Sequence, residues 1–296
     1  MTSYIFCIAQ HYIKLDFDDQ YIIRKQLLLP FMPFMVKEIE DHSPLLFTLT
    51  VTQDDIQTNN EAVSRMSTVD TGNGDIIVDR LPNGGYQYTI KNIESQKCCL
   101  LKTDKLFQNC TCQLFGDYNM QRFGLNNALM LSYTFAGSYK NTLLIHASLI
   151  RHEHKAYAFT AKSGTGKSTQ ANLWLQHIPN CDLMNDDNPI IRLIDQKLYA
   201  FGSPWSGKTP CYRNIRAELG AIIQICRAQE NSITQLSPIQ SFIMLMGACS
   251  SMKWDVDIYE RNCQLAKQII EASPIYALHC LPNKESAILC QKTVAK

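Results

Sequence analysis

Residues 157–175, YAFTAKSGTGKSTQANLWL, contain residue types that bind the phosphates of a nucleotide. An apolar run leads into a glycine-rich turn, which is followed by apolar residues at helical spacing. In the phosphate-loop pattern G-x-x-x-x-G-K-[ST], Gly166, Lys167 and Ser168 fill the last three positions, whereas Ala161 occupies the first. Exposed N–H groups, the positive end of a helix dipole and a lysine together bind phosphate. The candidate nucleotide-binding residues are Lys162, Ser163, Gly164, Thr165, Gly166, Lys167, Ser168 and Thr169.

A pair of aspartates, Asp186 and Asp187, follows the next apolar run, in CDLMNDDNPII. Ligands of open α/β sheets gather at the carboxyl ends of the strands, where such a pair would face the phosphates. Phosphoryl transfer needs one carboxylate to help hold magnesium and another group to accept the proton of the attacking hydroxyl. Two aspartates before Asn188 also fit a turn or a helix cap. Their spacing from Lys167 favours the catalytic interpretation.

A histidine, His146, interrupts the apolar run LLIHASLI. A single histidine in such a run is most often a core residue with one satisfied hydrogen bond. It becomes a candidate catalytic residue only in combination with the glycine-rich turn and the acid pair.

Composition and charge exclude several classes of partner. The 296 residues include 28 Lys and Arg against 27 Asp and Glu, so a net charge of +1 predicts neither nucleic acid nor an anionic membrane as partner. The most apolar run, QLLLPFMPFMV, is too short to span a bilayer. The N-terminal residues lack the pattern of a secretory leader, and the twelve cysteines are scattered. We therefore expect a reducing, cytoplasmic location.

The pattern of apolar and turn residues along the chain predicts two domains. Residues 1–120 carry short apolar runs broken by turns such as DTGNGD and PNGG, which predicts a partly β accessory domain. Residues 121–296 combine helical and strand patterns, which predicts a mixed α/β domain built around a sheet. Strands are expected at 143–150 and 155–161, and a helix at 168–178. The cysteines at 98, 99, 110 and 112 are spaced poorly for zinc, so buried thiols are the favoured interpretation.

Three segments in order, IHASLI, AKSGTGKST and MNDDNPI, resemble the catalytic domain of the HPr serine kinase/phosphorylase family. More broadly they resemble the phosphoenolpyruvate-carboxykinase-like phosphate-loop fold. Members show a histidine-bearing strand, a loop of the form G-x-S-G-x-G-K-S and a strand that ends in two aspartates. The resemblance covers about residues 143–292 and implies a mixed-sheet α/β kinase domain.

The resemblance also implies roles for particular residues. Lys167 and the loop would hold the phosphates of ATP, and Ser168 with Asp187 would hold Mg²⁺. Asp186, tuned by His146, would take the proton, although the two aspartates could exchange roles. FGSPWSGKTPCYRNIRAELGAI resembles a substrate-side loop whose polar residues would steady a transferring phosphate, although surface solvation explains any one cation equally well. These polar residues are Ser206, Lys208, Arg213 and Arg216.

The function implied is an ATP-dependent kinase that phosphorylates a hydroxyl group. Ala161 and Ala147 stand where the family has glycine, and the N-terminal half has no match to the family's regulatory domain. These departures favour an acceptor other than HPr, either a serine of a protein or peptide or a small hydroxyl compound. Enzymes of this resemblance often form homo-oligomers. Two alternatives are a small carboxykinase-like lyase and a non-catalytic nucleotide-binding switch.

Overall fold

The chain divides into two compact units. The computed structural model describes residues 1–18, 25–40, 43–56, 64–207 and 209–295. Unit 1 is Met1–Gly137 and unit 2 is Ser138–Lys296. We expected a boundary after residue 120, near the start of a long helix, whereas the division between the units falls at the end of that helix.

Unit 1 is built around one sheet. Its described strands are β1 Thr2–Ile8, β2 His11–Phe17, β3 Met35–Val36, β4 Leu45–Thr52, β5 Ser64–Asp70, β6 Asp75–Arg80, β7 Tyr86–Lys91, β8 Lys97–Thr103 and β9 Asn109–Leu114. A 3-10 helix spans Lys25–Phe34, and helix α1 spans Tyr118–Ser138. Within the described residues the strand order is β3-β1-β2-β4-β9-β8-β7-β6-β5. The strands β6 and β7 pair antiparallel around the PNGG turn, as the turn residues predict.

The aromatic core of unit 1 packs between its sheet and helix α1. Phe135 of α1 stacks on Tyr88 of β7 and contacts Phe107, with ring centroids 6.3 and 5.3 Å apart. The hydroxyl of Tyr133 donates to the carbonyl of Ile8 at 3.0 Å, so this buried polar group is satisfied. The predicted β character of this half of the chain is confirmed in the described strands.

Unit 2 alternates strands and helices. Its strands are β10 Thr142–Leu144, β11 Ala147–His152, β12 Lys155–Thr160, β13 Cys181–Asp187, β14 Ile190–Ile194, β15 Lys197–Phe201, β16 Arg216–Arg227, β17 Ser232–Gln235 and β18 Ile275–Cys280. Its helices are α2 Lys167–His177, α3 Pro238–Ala248, α4 Val256–Ala272 and α5 Lys284–Val294. The sheet runs β10-β14-β15-β16-β12-β11-β13, and β18 pairs with β16 and β17.

The sheet of unit 2 is mixed. The strands β12, β16 and β18 are parallel neighbours, whereas β11 and β13 run antiparallel to the strands beside them. One face buries Trp174 of α2 and Cys290 of α5, and the other buries Leu245 of α3 and Ile269 of α4. The expectation of a mixed α/β domain is confirmed.

The run 143–150, which we expected to form one strand, is split. Residues Ile145 and His146 separate β10 from β11, because β10 pairs with β14 whereas β11 pairs with β12 and β13. At the break, the N–H of His146 donates to the carbonyl of Ala248 at 2.8 Å, and the carbonyl of His146 accepts from Thr160 at 3.1 Å. The apolar pattern continues through the break, so the sequence alone does not reveal it. The break leaves the imidazole half-exposed rather than in the core.

Candidate nucleotide site

The segment between β12 and α2, residues 161–166, forms an open turn that we call the glycine loop. Gly164 and Gly166 have φ of 75° and 132°, which side-chain-bearing residues rarely adopt. A Cβ on Gly164 would meet no atom within 4 Å, so the space beside this residue is open. Gly166 caps α2 without a side-chain hydrogen bond, which leaves the first N–H groups of the helix available to an anion.

Lys167, the first residue of α2, lies at the centre of the site. Its side chain is largely buried, and its Nζ lies 3.0 Å from Nε2 of His146. Burial lowers the pKa of Lys167, an effect that the nearby Asp187 and Asp186 carboxylates oppose. An ammonium group held in partial desolvation is poised to gain from a negatively charged ligand.

His146 faces two partners through the same nitrogen. Its Nε2 lies 3.0 Å from Nζ of Lys167 and also 3.0 Å from Oδ1 of Asp187. An unprotonated Nε2 accepts a hydrogen bond from the lysine, whereas a protonated Nε2 donates to the carboxylate. The arrangement therefore provides a place for a proton beside the glycine loop, with a carboxylate to stabilise the imidazolium.

The two aspartates at the end of β13 have different surroundings. Asp186 is buried, and its Oδ1 accepts hydrogen bonds from the hydroxyls of Ser148 at 2.5 Å and Ser168 at 3.0 Å. The side chain of Asp187 is about one-third exposed. Besides its contact with His146, it accepts a hydrogen bond from the side-chain amide of Asn188 at 2.7 Å. Its φ of 151° is unusual for a residue with a side chain.

This pairing corrects the one expected from the sequence. We expected His146 to contact Asp186, and Ser168 to hold Mg²⁺ together with Asp187. In the structure His146 pairs with Asp187, and Ser168 donates a hydrogen bond to Asp186. The reason is the alternation of side chains along a strand, which sends consecutive residues to opposite faces. The cross-strand register, with Ser148 opposite Asp186, determines which aspartate faces α2.

The two arginines expected at the site lie elsewhere. Arg213 binds Asp182, which Arg151 also contacts, near the start of β13 and opposite the acid pair. Hydrogen bonds from Arg151 and Arg213 outweigh the desolvation of Asp182 and hold its pKa below the usual value. Arg216, the first residue of β16, lies over the ring of Tyr199. Eight residues of strand, roughly 26 Å, separate it from Gln224, which pairs with the last residue of β12 beside the glycine loop. The structure thus places neither arginine at the glycine loop.

Of the remaining residues of the expected substrate-side loop, Ser206 lies next to the acid pair. It forms an isolated bridge with Asp187, and its hydroxyl donates to the carbonyl of Asp186 at 3.1 Å. Lys208 lies outside the described residues.

A cation that the sequence did not single out, Arg227, contacts the glycine loop. Its guanidinium donates to the carbonyls of Thr165 at 3.1 Å and Gly164 at 2.5 Å. Arg227 is the last residue of β16, and a charged residue that ends an apolar strand parallel to β12 is the signal that would have found it. By binding these two carbonyls, Arg227 ties the glycine loop to the end of β16.

A cavity of about 400 Å³ lies beside the glycine loop and Arg227. Its lining joins the loop and the start of α2 to the ends of β16 and β18, and includes Ile225 and Leu281. An apolar wall next to the start of a helix, whose first N–H groups have no intrahelical partner, suits a nucleoside attached to a polyphosphate.

The cysteines expected to be buried thiols lie in β8 and β9, where Cys98, Cys99, Cys110 and Cys112 are buried. Burial raises the pKa of Cys110 to about 12 and also raises that of Cys99. Among the described residues, no three His, Cys, Asp or Glu side chains are grouped to hold a metal ion. No helix in the described part of the chain combines the length and hydropathy needed to cross a bilayer.

The chain has distant structural similarity to a solved kinase structure. It is similar to the Hpr(Ser) kinase/phosphatase from Coxiella burnetii at 10% sequence identity and a TM-score of 0.32, over 51% of this chain and 88% of that chain. No protein-family model and no curated protein sequence matches the chain. The geometry of the site, and not this similarity, is therefore the basis for a function.

Proposed function

We propose that the chain is a kinase that transfers the γ-phosphate of ATP to a hydroxyl group, on a serine of a protein or peptide or on a small hydroxyl compound. The observation that carries the proposal is the convergence of Lys167 and Ser168 with His146 and the acid pair at the glycine loop. These groups come from three separate elements and provide phosphate binding, metal ligation and proton acceptance in one place.

The residues at the loop fit Mg²⁺ with ATP as the phosphate donor. Ser168 and Asp186 offer two hard oxygen ligands that already lie 3.0 Å apart, and Mg²⁺ typically takes one or two carboxylates and completes its shell with phosphate oxygens and water. Bound there, Mg²⁺ would neutralise charge on the β- and γ-phosphates. In this proposal Asp186 and Ser168 hold the metal.

The remaining groups handle the phosphates and the proton. The N–H groups of the glycine loop and the ammonium of Lys167 bind the β- and γ-phosphates. The acceptor oxygen forms a bond to the γ-phosphorus while the bond from that phosphorus to the bridging oxygen breaks, which releases ADP. The hydroxyl proton passes to the pair formed by Asp187 and His146, whose separation of 3.0 Å allows the charge to be shared.

The proposal is tested with γ-labelled ATP, magnesium and a panel of serine peptides and small hydroxyl compounds. We expect label on a hydroxyl group. Release of carbon dioxide from oxaloacetate would favour a lyase instead, and tight nucleotide binding without turnover of any donor would favour a nucleotide-binding switch.

The reassigned roles of the two aspartates give a sharper test. Asp187→Asn should bind magnesium-ATP normally and lose transfer by about a hundredfold or more, the usual size of a general-base effect. Asp186→Asn should instead lose the magnesium-dependent part of nucleotide affinity. Calorimetry with and without magnesium separates the two, and the opposite pattern would restore the roles expected from the sequence.

A further inference from the structure

A second cavity, of about 290 Å³, lies on the other side of the sheet edge from the loop cavity. It is lined by Gln224 of β16, whereas the loop cavity is lined by Ile225, and neighbouring residues of a strand face opposite sides. Its floor is formed by His146 and Lys162, and its wall by helix α3. His146, part of the proposed proton acceptor, therefore lines a cavity that the nucleoside would not fill.

The wall of this cavity is apolar and continues along α3. Ile243 and Met244 line the cavity, and Ile243 is 68% exposed. Ile239, one turn earlier on the same face, is 74% exposed, and Gly247, one turn later, leaves open space where a side chain would stand. These three positions, Ile239, Ile243 and Gly247, form what we call the α3 stripe.

The α3 stripe is held by a firmly capped helix. Ser237 caps α3 in a capping box with Gln240, and Pro238 occupies the first turn. Leu245, on the opposite face, is fully buried in the core with α4. The capping box therefore stabilises the turn that carries Ile239, and the burial of Leu245 anchors the face of α3 opposite the stripe.

The dimensions of the α3 stripe select among acceptors. From Ile239 to Gly247 it runs about 12 Å, at 1.5 Å per residue, which exceeds a small metabolite and matches about four residues of extended chain. The polar groups of the cavity, His146, Lys162 and Gln224, lie on the other side from the stripe, and the stripe itself can bury branched apolar side chains.

Building on the proposed function, we propose that the acceptor is a peptide segment whose serine is flanked by apolar side chains. The serine hydroxyl lies at His146, and an adjacent apolar side chain fills the cavity against Ile243 and Gly247. The serine oxygen takes the γ-phosphoryl group of ATP, its proton goes to the pair of His146 and Asp187, and ADP leaves from the loop cavity.

The test uses two blocked pentapeptides, acetyl-Gly-Leu-Ser-Leu-Gly-amide and acetyl-Gly-Gln-Ser-Gln-Gly-amide. Their binding is measured by calorimetry in the presence of magnesium-ADP, and their phosphorylation is measured with γ-labelled ATP. Burial of one leucine side chain predicts a preference of about ten- to a hundredfold for the leucine peptide. Ile243→Gln should reduce this preference, and Gly247→Leu, which fills the cavity, should weaken the leucine peptide at least tenfold.

The control is Val256→Gln on α4, which removes an equally exposed apolar side chain outside the cavity and should change neither peptide. Equal or undetectable binding of the two peptides would overturn the inference, as would a Gly247→Leu variant that keeps the wild-type preference. Nucleotide affinity is measured in the same variants and should be unchanged. Failure of the wild-type protein to bind magnesium-ATP would instead refute the proposed kinase function, so the two failures are distinguishable.

Discussion

The substitution Lys167→Met tests the centre of the site, because it removes the ammonium and keeps most of the apolar stem. The lysine is largely buried and its Nζ lies 3.0 Å from Nε2 of His146, so a phosphate that binds there would meet a partly desolvated charge. A hydrogen bond to a charged group contributes about 1.5–3 kcal/mol. Since about 1.4 kcal/mol corresponds to tenfold in Kd, magnesium-ATP affinity should fall about ten- to a hundredfold.

The same substitution should not destabilise the fold. Burial lowers the pKa of Lys167, which means that the native state binds its proton less well than the unfolded chain does. Where the native lysine has lost its proton and the unfolded lysine has kept it, the free energy of unfolding rises with pH. Relative to Lys167→Met, the wild-type protein should therefore become more stable as the pH rises toward 10.5, the ordinary lysine value.

Calorimetry of magnesium-ATP binding and thermal unfolding over a pH series measure the two effects. The matched control is Lys155→Met, an exposed lysine at the start of β12, the end of that strand remote from the glycine loop. It should leave affinity unchanged. Unchanged affinity in Lys167→Met would refute the phosphate site, and a large fall in its melting temperature would show that the lysine is structural.

Two further predictions concern the loop and the ion pair at the opposite edge. Gly164→Ala should destabilise the fold by about 1 kcal/mol, because an alanine is strained at φ 75°, and it should also weaken magnesium-ATP binding. The control is Gly72→Ala, at φ 76° in equally open space, which should cost similar stability and leave the affinity for magnesium-ATP unchanged. Asp182→Asn should lower the melting temperature above pH 3.8, because Arg151 and Arg213 depress the pKa of Asp182 and so stabilise the native state at those pH values. The difference in melting temperature from wild type should vanish as the pH falls through the native pKa of Asp182. A difference that persists in strong acid would exclude the ion pair as its cause.

The local chemistry of the site follows from residues that are close in sequence. A turn with Gly164 and Gly166 before Lys167 and Ser168 places N–H groups, an ammonium and a hydroxyl together whatever surrounds them. Apolar patterns likewise predicted β12 and α2, and the PNGG residues predicted the turn between β6 and β7, because each depends on residues within a short stretch of the chain.

Contacts between distant segments were decided by the tertiary structure. The register of β11 against β13 determines that Ser168 meets Asp186 and that His146 meets Asp187, and no spacing along the chain encodes this choice. Strand direction likewise places Arg216 at one end of β16 and Arg227 at the other, beside the glycine loop. A sequence fixes which groups are neighbours along the backbone, whereas strand pairing and packing determine which charges face one another, because they join residues far apart in the chain.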